Sequence, residues 1–450
     1  MNKILQLIAF ASALLALTAI SASAQQAGPS AAPTTTIETH ALASLDTAKP
    51  FDAKKATDAY LRQVSGAARE RSDAYFEGGY GLLFGDALYA VIVSGILLWF
   101  RISARIRDIA EVQTRSRFWQ VPIYILMYVP LVALMTLPLT VYEGYFREKA
   151  YGLMNQTFLS WLLDQTIELG ISIVAALFVV TLVYAAIRRA GRAWWIWGAG
   201  IVTVFLVVAL VVSPVFIAPL FNHYSPLPPG PLRSDILSLA RANGIPAQNV
   251  YLVDASRQSD RISANVSGFL GTIRVSLNDN LLHKASHDEA LAVLGHEMGH
   301  YVMDHATRLL LLNALVILAA FAFLNAGFGA LTNIFGGNWD VRTIDDPAGI
   351  PLLAALATIF FLAATPVTNT ISRTTEIQAD MFGVNAVRKP DAFATVVLKL
   401  SNYRKLDPGP WEEAIFYDHP SARTRIWEMM RWKAEHLNDA DIKAGPVSPQ

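Results

Sequence analysis

Long apolar blocks alternate with polar ones along most of this chain. Six apolar stretches, at 82–100, 121–142, 169–187, 194–220, 309–328 and 350–367, each approach or exceed the roughly 20 residues a helix needs to cross a bilayer. The first carries Asp86 near its start, and Pro122, Pro130 and Pro138 in the second predict a kinked helix. Trp119, Trp194, Trp195 and Trp197 fall at the ends of these stretches, where interfacial aromatics belong. An earlier apolar run at 4–20 follows Lys3 and precedes Ala22-Ser23-Ala24. That pattern reads as a secretory signal peptide over 1–24, the alternative being an uncleaved first membrane helix.

The polar blocks complete the layout. Residues 25–81 form an extracytoplasmic N-terminal segment, starting as an Ala/Pro/Ser/Thr spacer and becoming charged and mildly helical, with a helix or two expected against the membrane face. Four membrane helices fill 82–220. A turn cluster, Pro226-Leu227-Pro228-Pro229-Gly230, opens a polar region at 221–308, where an amphipathic helix (232–243) and short strands (250–253, 273–277) are predicted. A membrane hairpin at 309–370, a helical region at 371–436 and a tail at 437–450 follow.

Composition agrees with this layout. Of 450 residues 53% are hydrophobic and 16% charged, against about a quarter charged in soluble domains. Thirty-six basic residues balance thirty-six acidic ones, so nothing points to nucleic acid. The absence of cysteine excludes disulfides, thiolate ligands and a cysteine nucleophile.

The chemistry concentrates in the polar block before the hairpin. Ser286 with Glu289 reads as a capping box that starts a helix. On that helix His296-Glu297-Met298-Gly299-His300 places two imidazoles on one face, as ligands for one Zn2+ per chain. Glu297 lies a quarter-turn away, where a base for an activated water belongs. Glu376 is the candidate third ligand. Asp380, on the same helix face, is the candidate partner for the outer nitrogen of a zinc histidine. The 76 residues between His300 and Glu376 contain two crossings, so both ends emerge on one side of the membrane.

These motifs resemble the CAAX prenyl protease 1 family of integral-membrane zinc metallopeptidases. The likeness rests on Leu294 to His300, the hairpin, and Ser372-Arg373 with Glu376, Ala379 and Asp380. The stretches 145–152 with 155–157, and 214–222, extend it, so that it covers about 70–431. The resemblance implies a mainly α, multi-pass helical membrane protein with an α+β zincin-like (gluzincin) catalytic domain. It implies His296, His300 and Glu376 as ligands and Glu297 as base. His419-Pro420 with Arg425 matches the family's H-P-x-x-x-x-R motif, implying that both steady the substrate carbonyl or its tetrahedral intermediate. His305 falls at a further family position, expected beside the ligands. The family's substrate-binding edge strand, N-A-x-x-x-G, is here Ser263-Ala264-Asn265-Val266-Ser267-Gly268, so Ser263 or Asn265 takes the place of the displaced asparagine.

Sidedness follows from the arginines. Arg101, Arg105, Arg107, Arg115 and Arg117 after the first span, and Arg188, Arg189 and Arg192 after the third, place both loops in the cytoplasm. The catalytic domain then lies outside, periplasmic in a bacterial inner membrane. The loop 336–349 should be cytoplasmic too, yet holds one arginine and three aspartates. The expected function is a zinc metalloendopeptidase acting on peptides or on membrane-associated or misfolded proteins. An inactive zinc-stabilised scaffold or chaperone is one rival and a transporter or channel the other. Neither substrate identity nor oligomeric state is legible.

Overall fold

The computed structural model describes residues 51–268, 273–401 and 403–443. The signal-peptide reading, the spacer and the end of the tail fall outside the described residues. Among the described residues, five helical stretches are long and apolar enough to cross a membrane. They contain α2 (Gly66–Trp99), α4 (Arg117–Val141), α5 (Phe158–Ala190) with α6 (Trp194–Val212), α10 (His305–Trp339) and α11 (Ile350–Val387). The third stretch counts once but folds back on itself. Gly191, with φ +53°, opens a single 3-10 turn between α5 and α6, and the two helices pack together. All six apolar stretches are thus helical, and the protein is a multi-pass membrane protein. The prolines of the second span sit inside α4 without breaking it.

The structure adds contacts at both ends. Helix α1 (Ala53–Arg62) packs on another helix. It buries Ala56, Tyr60 and Leu61 against Ile426, Met429 and Met430 of the C-terminal helix α14 (Ala422–Glu435). Residues 66–81, read as part of a separate polar segment, are the first turns of α2, which runs without interruption into the membrane. The helix therefore begins in the polar segment, ahead of the apolar stretch that starts at Leu82. The start of the tail is also packed: Arg388 holds Asp439 and Asp441, and Ile442 is buried.

The arginine-rich loops meet at the end of the membrane domain where α2, α4 and α5 turn, around α3 (Ile102–Gln113). Arg107 is buried and donates to Asp346 at 2.9 Å and Asp340 at 2.8 Å, while Arg117 pairs with Asp345 and Arg342 with Glu111. The aspartates of loop 336–349 are therefore the counter-charges of neighbouring arginines. Their presence on an otherwise basic side has a local structural cause.

The polar domain is built on a four-stranded sheet of order β1-β2-β4-β3: β1 (Tyr224–Pro226), β2 (Val250–Val253), β3 (Ala264–Ser267) and β4 (Arg274–Asn278). Only the β2–β4 pair is parallel, and β3 forms an edge. Helix α7 (Pro231–Ala242) bridges β1 to β2, and the one-and-a-half-turn α8 (Asp279–Lys284) follows β4. The apolar face, with Val250, Ala264, Val275 and Leu277, packs on Ala290, Val293, Leu294 and Met298 of α9 (His287–Val302). Both halves of the expected capping box form at Ser286 and Glu289. The order is completed by α12 (Pro390–Leu400) and the two-turn α13 (Pro410–Phe416) before α14.

The closest helix contact joins α9 to the far end of α11. Gly295 and Gly299, each one residue before a histidine, face Ala379 and Gly383. A Cβ at Gly383 would stand 2.8 Å from the His296 backbone nitrogen, and one at Gly299 3.1 Å from the Ala379 Cα. The neighbours are backbone atoms, which do not yield as a flexible side chain does. Replacing Gly383 by alanine should therefore spread the two helices at a cost of roughly 1–3 kcal/mol. A lower unfolding temperature and reduced metal retention in the purified protein are the expected results; unchanged values for both would refute this account of the seam.

Candidate metal centre and active site

Helix periodicity delivers His296 and His300 to the same face of α9, and the glycine seam brings Glu376 of α11 onto that face. The Nε2 atoms of the two histidines are 3.1 Å apart, and Glu376 places Oε2 3.3 Å from His296 and Oε1 3.5 Å from His300. One donor atom from each of the three lies within 4.8 Å of the others. Glu376 Oε2 is buried without a hydrogen-bond donor. An orphaned carboxylate oxygen beside two imidazole nitrogens is costly by itself. It is the donor set a divalent cation requires, so the residues fit a metal.

The outer nitrogens determine which way the imidazoles present their lone pairs. Asp380 Oδ1 lies 2.6 Å from His296 Nδ1 and accepts its proton, so Nε2 is the nitrogen presented toward the centre. Arg425 grips Asp380 with Nε at 2.7 Å and an Nη at 2.6 Å. For His300 the partner is His305, Nδ1 to Nδ1 at 3.0 Å, and His305 Nε2 stands 3.2 Å from Gln378 Oε1. Since that oxygen can only accept, His305 carries its proton on Nε2. His305 Nδ1 then accepts the Nδ1 proton of His300, and His300 Nε2 is bare. Arg308 also donates to Gln378 Oε1, at 2.6 Å. Both inner nitrogens are thus set as ligand atoms from outside the centre.

Electrostatics divide the three residues of the motif that titrate. Burial pushes His300 down to about 4, so it is neutral at neutral pH. Burial would also depress His296, but the carboxylates of Asp380 and Glu376 prevail and raise it to about 10 in the metal-free site. A cation there must displace that proton. Glu297 is pushed up to about 7 by burial, against the pull of His296, His419 and Arg425. A carboxylate poised near neutrality suits proton transfer in either direction.

His419 reaches the same centre from the loop before α14. Its Nε2 is 3.5 Å from Glu376 Oε2, and its Nδ1 is 3.0 Å from Asp418 Oδ1. Arg425 gives Nε and one Nη to Asp380, which ties it to the same centre through His296. Ser263 and Asn265 flank the start of edge strand β3: the Ser263 amide donates to Asn278 Oδ1 and its carbonyl accepts from the Asn278 amide. Asn265 pairs in register with Ser276, and its Oδ1 is buried without a donor.

Three participants escape the sequence reading. Asp418 had a usable signal, a carboxylate directly preceding His419-Pro420. Gln378 and Arg308 had none, since their partnership exists only where α10 and α11 meet.

A multi-pass helical membrane protein that gathers two histidines and a glutamate around H-E-x-x-H is a membrane metallopeptidase. Residues 226–433 match the model of peptidase family M48, and residues 54–223 match the model described as CAAX prenyl protease N-terminal, five membrane helices. The chain belongs to peptidase family M48. It is similar to the uncharacterized metalloprotease YhfN of Bacillus subtilis, 31% identical over 333 residues, covering 74% of this chain and 78% of that one. CAAX prenyl protease 1 of Saccharomyces cerevisiae is 28% identical over 315 residues, 66% of this chain and 69% of the yeast protein. The crystal structure of S. mikatae Ste24p superposes with a TM-score of 0.66 at 21% identity, covering 95% of this chain and 98% of that one, a likeness of fold. The protein is accordingly a membrane metalloprotease of the CAAX prenyl protease 1 type.

Removing the carboxylate that orients His296 separates positioning from ligation. Asp380→Ala should weaken metal affinity roughly 10–100-fold while all three candidate ligands remain. Competition with a chromogenic chelator measures this, and an unaltered affinity would show that Asp380 does not act through His296.

Proposed function

We propose that the protein is a zinc-dependent endopeptidase in which His296, His300 and Glu376 hold the metal. The observation that carries this reading is the meeting of two correctly presented imidazoles with an orphaned, buried carboxylate oxygen. Zinc held there supplies a Lewis acid that polarises the scissile carbonyl and makes a water acidic near neutral pH. Glu297 accepts the proton of the attacking water and delivers it to the departing amine nitrogen, a cycle its position near 7 supports. His419 turns Nε2 toward the oxygen on which negative charge develops, and Asp418, against Nδ1, holds the ring in that orientation. Arg425 serves the same chemistry indirectly, by fixing Asp380 and so His296. The substrate backbone adds to the free edge of β3, with Ser263 and Asn265 at the strand's start.

The substrates proposed are peptides and membrane-associated or misfolded proteins. Action on prenylated C-termini belongs to the named relatives and is not needed to explain this site. The location proposed is a bacterial inner membrane with the catalytic domain periplasmic. Support for that side comes from the basic loops, where Arg105, Arg189 and Arg192 stand outside the ion pairs around Arg107.

Glu297→Gln tests the mechanism. The variant should bind metal like the wild type and lose cleavage of a quenched-fluorescent peptide by several orders of magnitude, as expected for removal of an acid–base group worth about 10²–10⁴ in rate. Wild-type turnover in the metal-loaded variant would overturn it. Sidedness is testable because the chain has no native thiol. In cells with a permeabilised outer membrane, an impermeant maleimide should label Glu435→Cys and spare Arg192→Cys; the reverse pattern would place the catalytic domain in the cytoplasm.

A further inference from the structure

Helix α13 (Pro410–Phe416) has no place in the chemistry described, yet it carries the most exposed aromatic side chain among the described residues, Trp411, at 79%. The helix lies across α2 and α11 rather than on the sheet. Asn369 and Arg373 of α11 donate to its carbonyls at Ile415, Glu413 and Ala414. Phe416 stacks on Tyr80 of α2, with ring centroids 4.1 Å apart, and meets Phe84 edge-on at 6.4 Å.

The surfaces flanking it are those of membrane helices. On α2, Phe84, Leu88 and Ile92 recur at four-residue spacing and are 53%, 62% and 47% exposed. On α11, Val367 is 55% exposed. On helices that cross a bilayer, exposed apolar stripes are surface available to lipid. Tyr80 and Phe84, the residues α13 touches, stand where the apolar part of α2 begins, so α13 sits at the depth of the bilayer surface. Its acidic residues are turned inward. Glu412 accepts from Tyr80, Lys405 and the Gly409 amide, and Glu413 accepts from the Ser421 amide and Thr424. The outward side thus offers an indole and no unpaired carboxylate, a combination that favours the headgroup–acyl boundary.

We propose that α13 is a lipid-contacting element of the catalytic domain, with Trp411 inserted at the bilayer surface. The occupant is phospholipid, continuous with the lipid shell of α2 and α11. The placement has a consequence for the site. Arg373 holds the carbonyl of Tyr417 at 2.6 Å, and Glu413 anchors the start of α14 at Ser421. The segment between them carries His419. Its height is therefore referenced to the membrane surface, whatever metal the centre holds.

Because the chain contains no cysteine, Trp411→Cys introduces a single thiol for an environment-sensitive NBD probe. The test uses the full chain in nanodiscs of pure phosphatidylethanolamine and phosphatidylglycerol, with Glu435→Cys as a water-exposed reference. The expected result is blue-shifted emission at position 411, shielding from iodide, and strong quenching by lipid spin-labelled near the glycerol backbone. Emission and iodide access equal to the reference would overturn the proposal. As a second measurement without a label, brominated lipid should quench the intrinsic fluorescence of the wild type more than that of Trp411→Phe. Equal quenching of the two would likewise refute contact with lipid.

Discussion

The metal centre depends on the near-contact of two helix backbones. Ligands four residues apart on α9 come from helical geometry alone, but the third must arrive from a helix that enters the domain from the membrane. That approach is possible because Gly295 and Gly299 present no side chain to α11, and Ala379 and Gly383 present little or none in return. Each glycine precedes a histidine by one residue, so the surface that admits α11 adjoins the surface that carries the candidate ligands. The close packing of this seam and the geometry of the site are one constraint.

Orientation is added by residues outside the ligand set. Asp380 is on the same helix as Glu376, so the contact that brings the third ligand also delivers the acceptor for His296. His300 is served by His305, from the start of α10, with Gln378 of α11 behind it. The membrane hairpin thus supplies the orienting groups of both histidines at its two ends. Its polar loop at the opposite end is pinned by the buried Arg107–Asp346 pair. Such a pair is a strong constraint on geometry, since losing one partner leaves an uncompensated buried charge.

Much of this was legible in the sequence because it rests on short-range rules. The cap at Ser286, the spacing of His296 and His300, the six apolar spans and the even number of crossings before Glu376 are periodicities or counts. The site residues met because that parity argument holds. The indirect placement of Arg425 was not legible: a motif shows that an arginine recurs at a spacing, not which acceptor it finds. Here Asp380 takes its donors first. The docking of α1 on α14 and the continuation of α2 into the polar segment escaped for a related reason. Amphipathic turns such as those holding Ala56 and Tyr60 look alike whether they cover a membrane or another helix.

By itself, then, the amino-acid order determined which segments enter the bilayer, where the ligand helix begins, and which side chains have the chemistry of metal ligands and of a proton carrier. Those properties are local or additive along the chain. Only the tertiary structure decided which carboxylate orients which imidazole, and that α13 lies on two membrane helices with Trp411 turned outward. Each of these depends on distances between segments tens to hundreds of residues apart, set by how closely the helix backbones can approach.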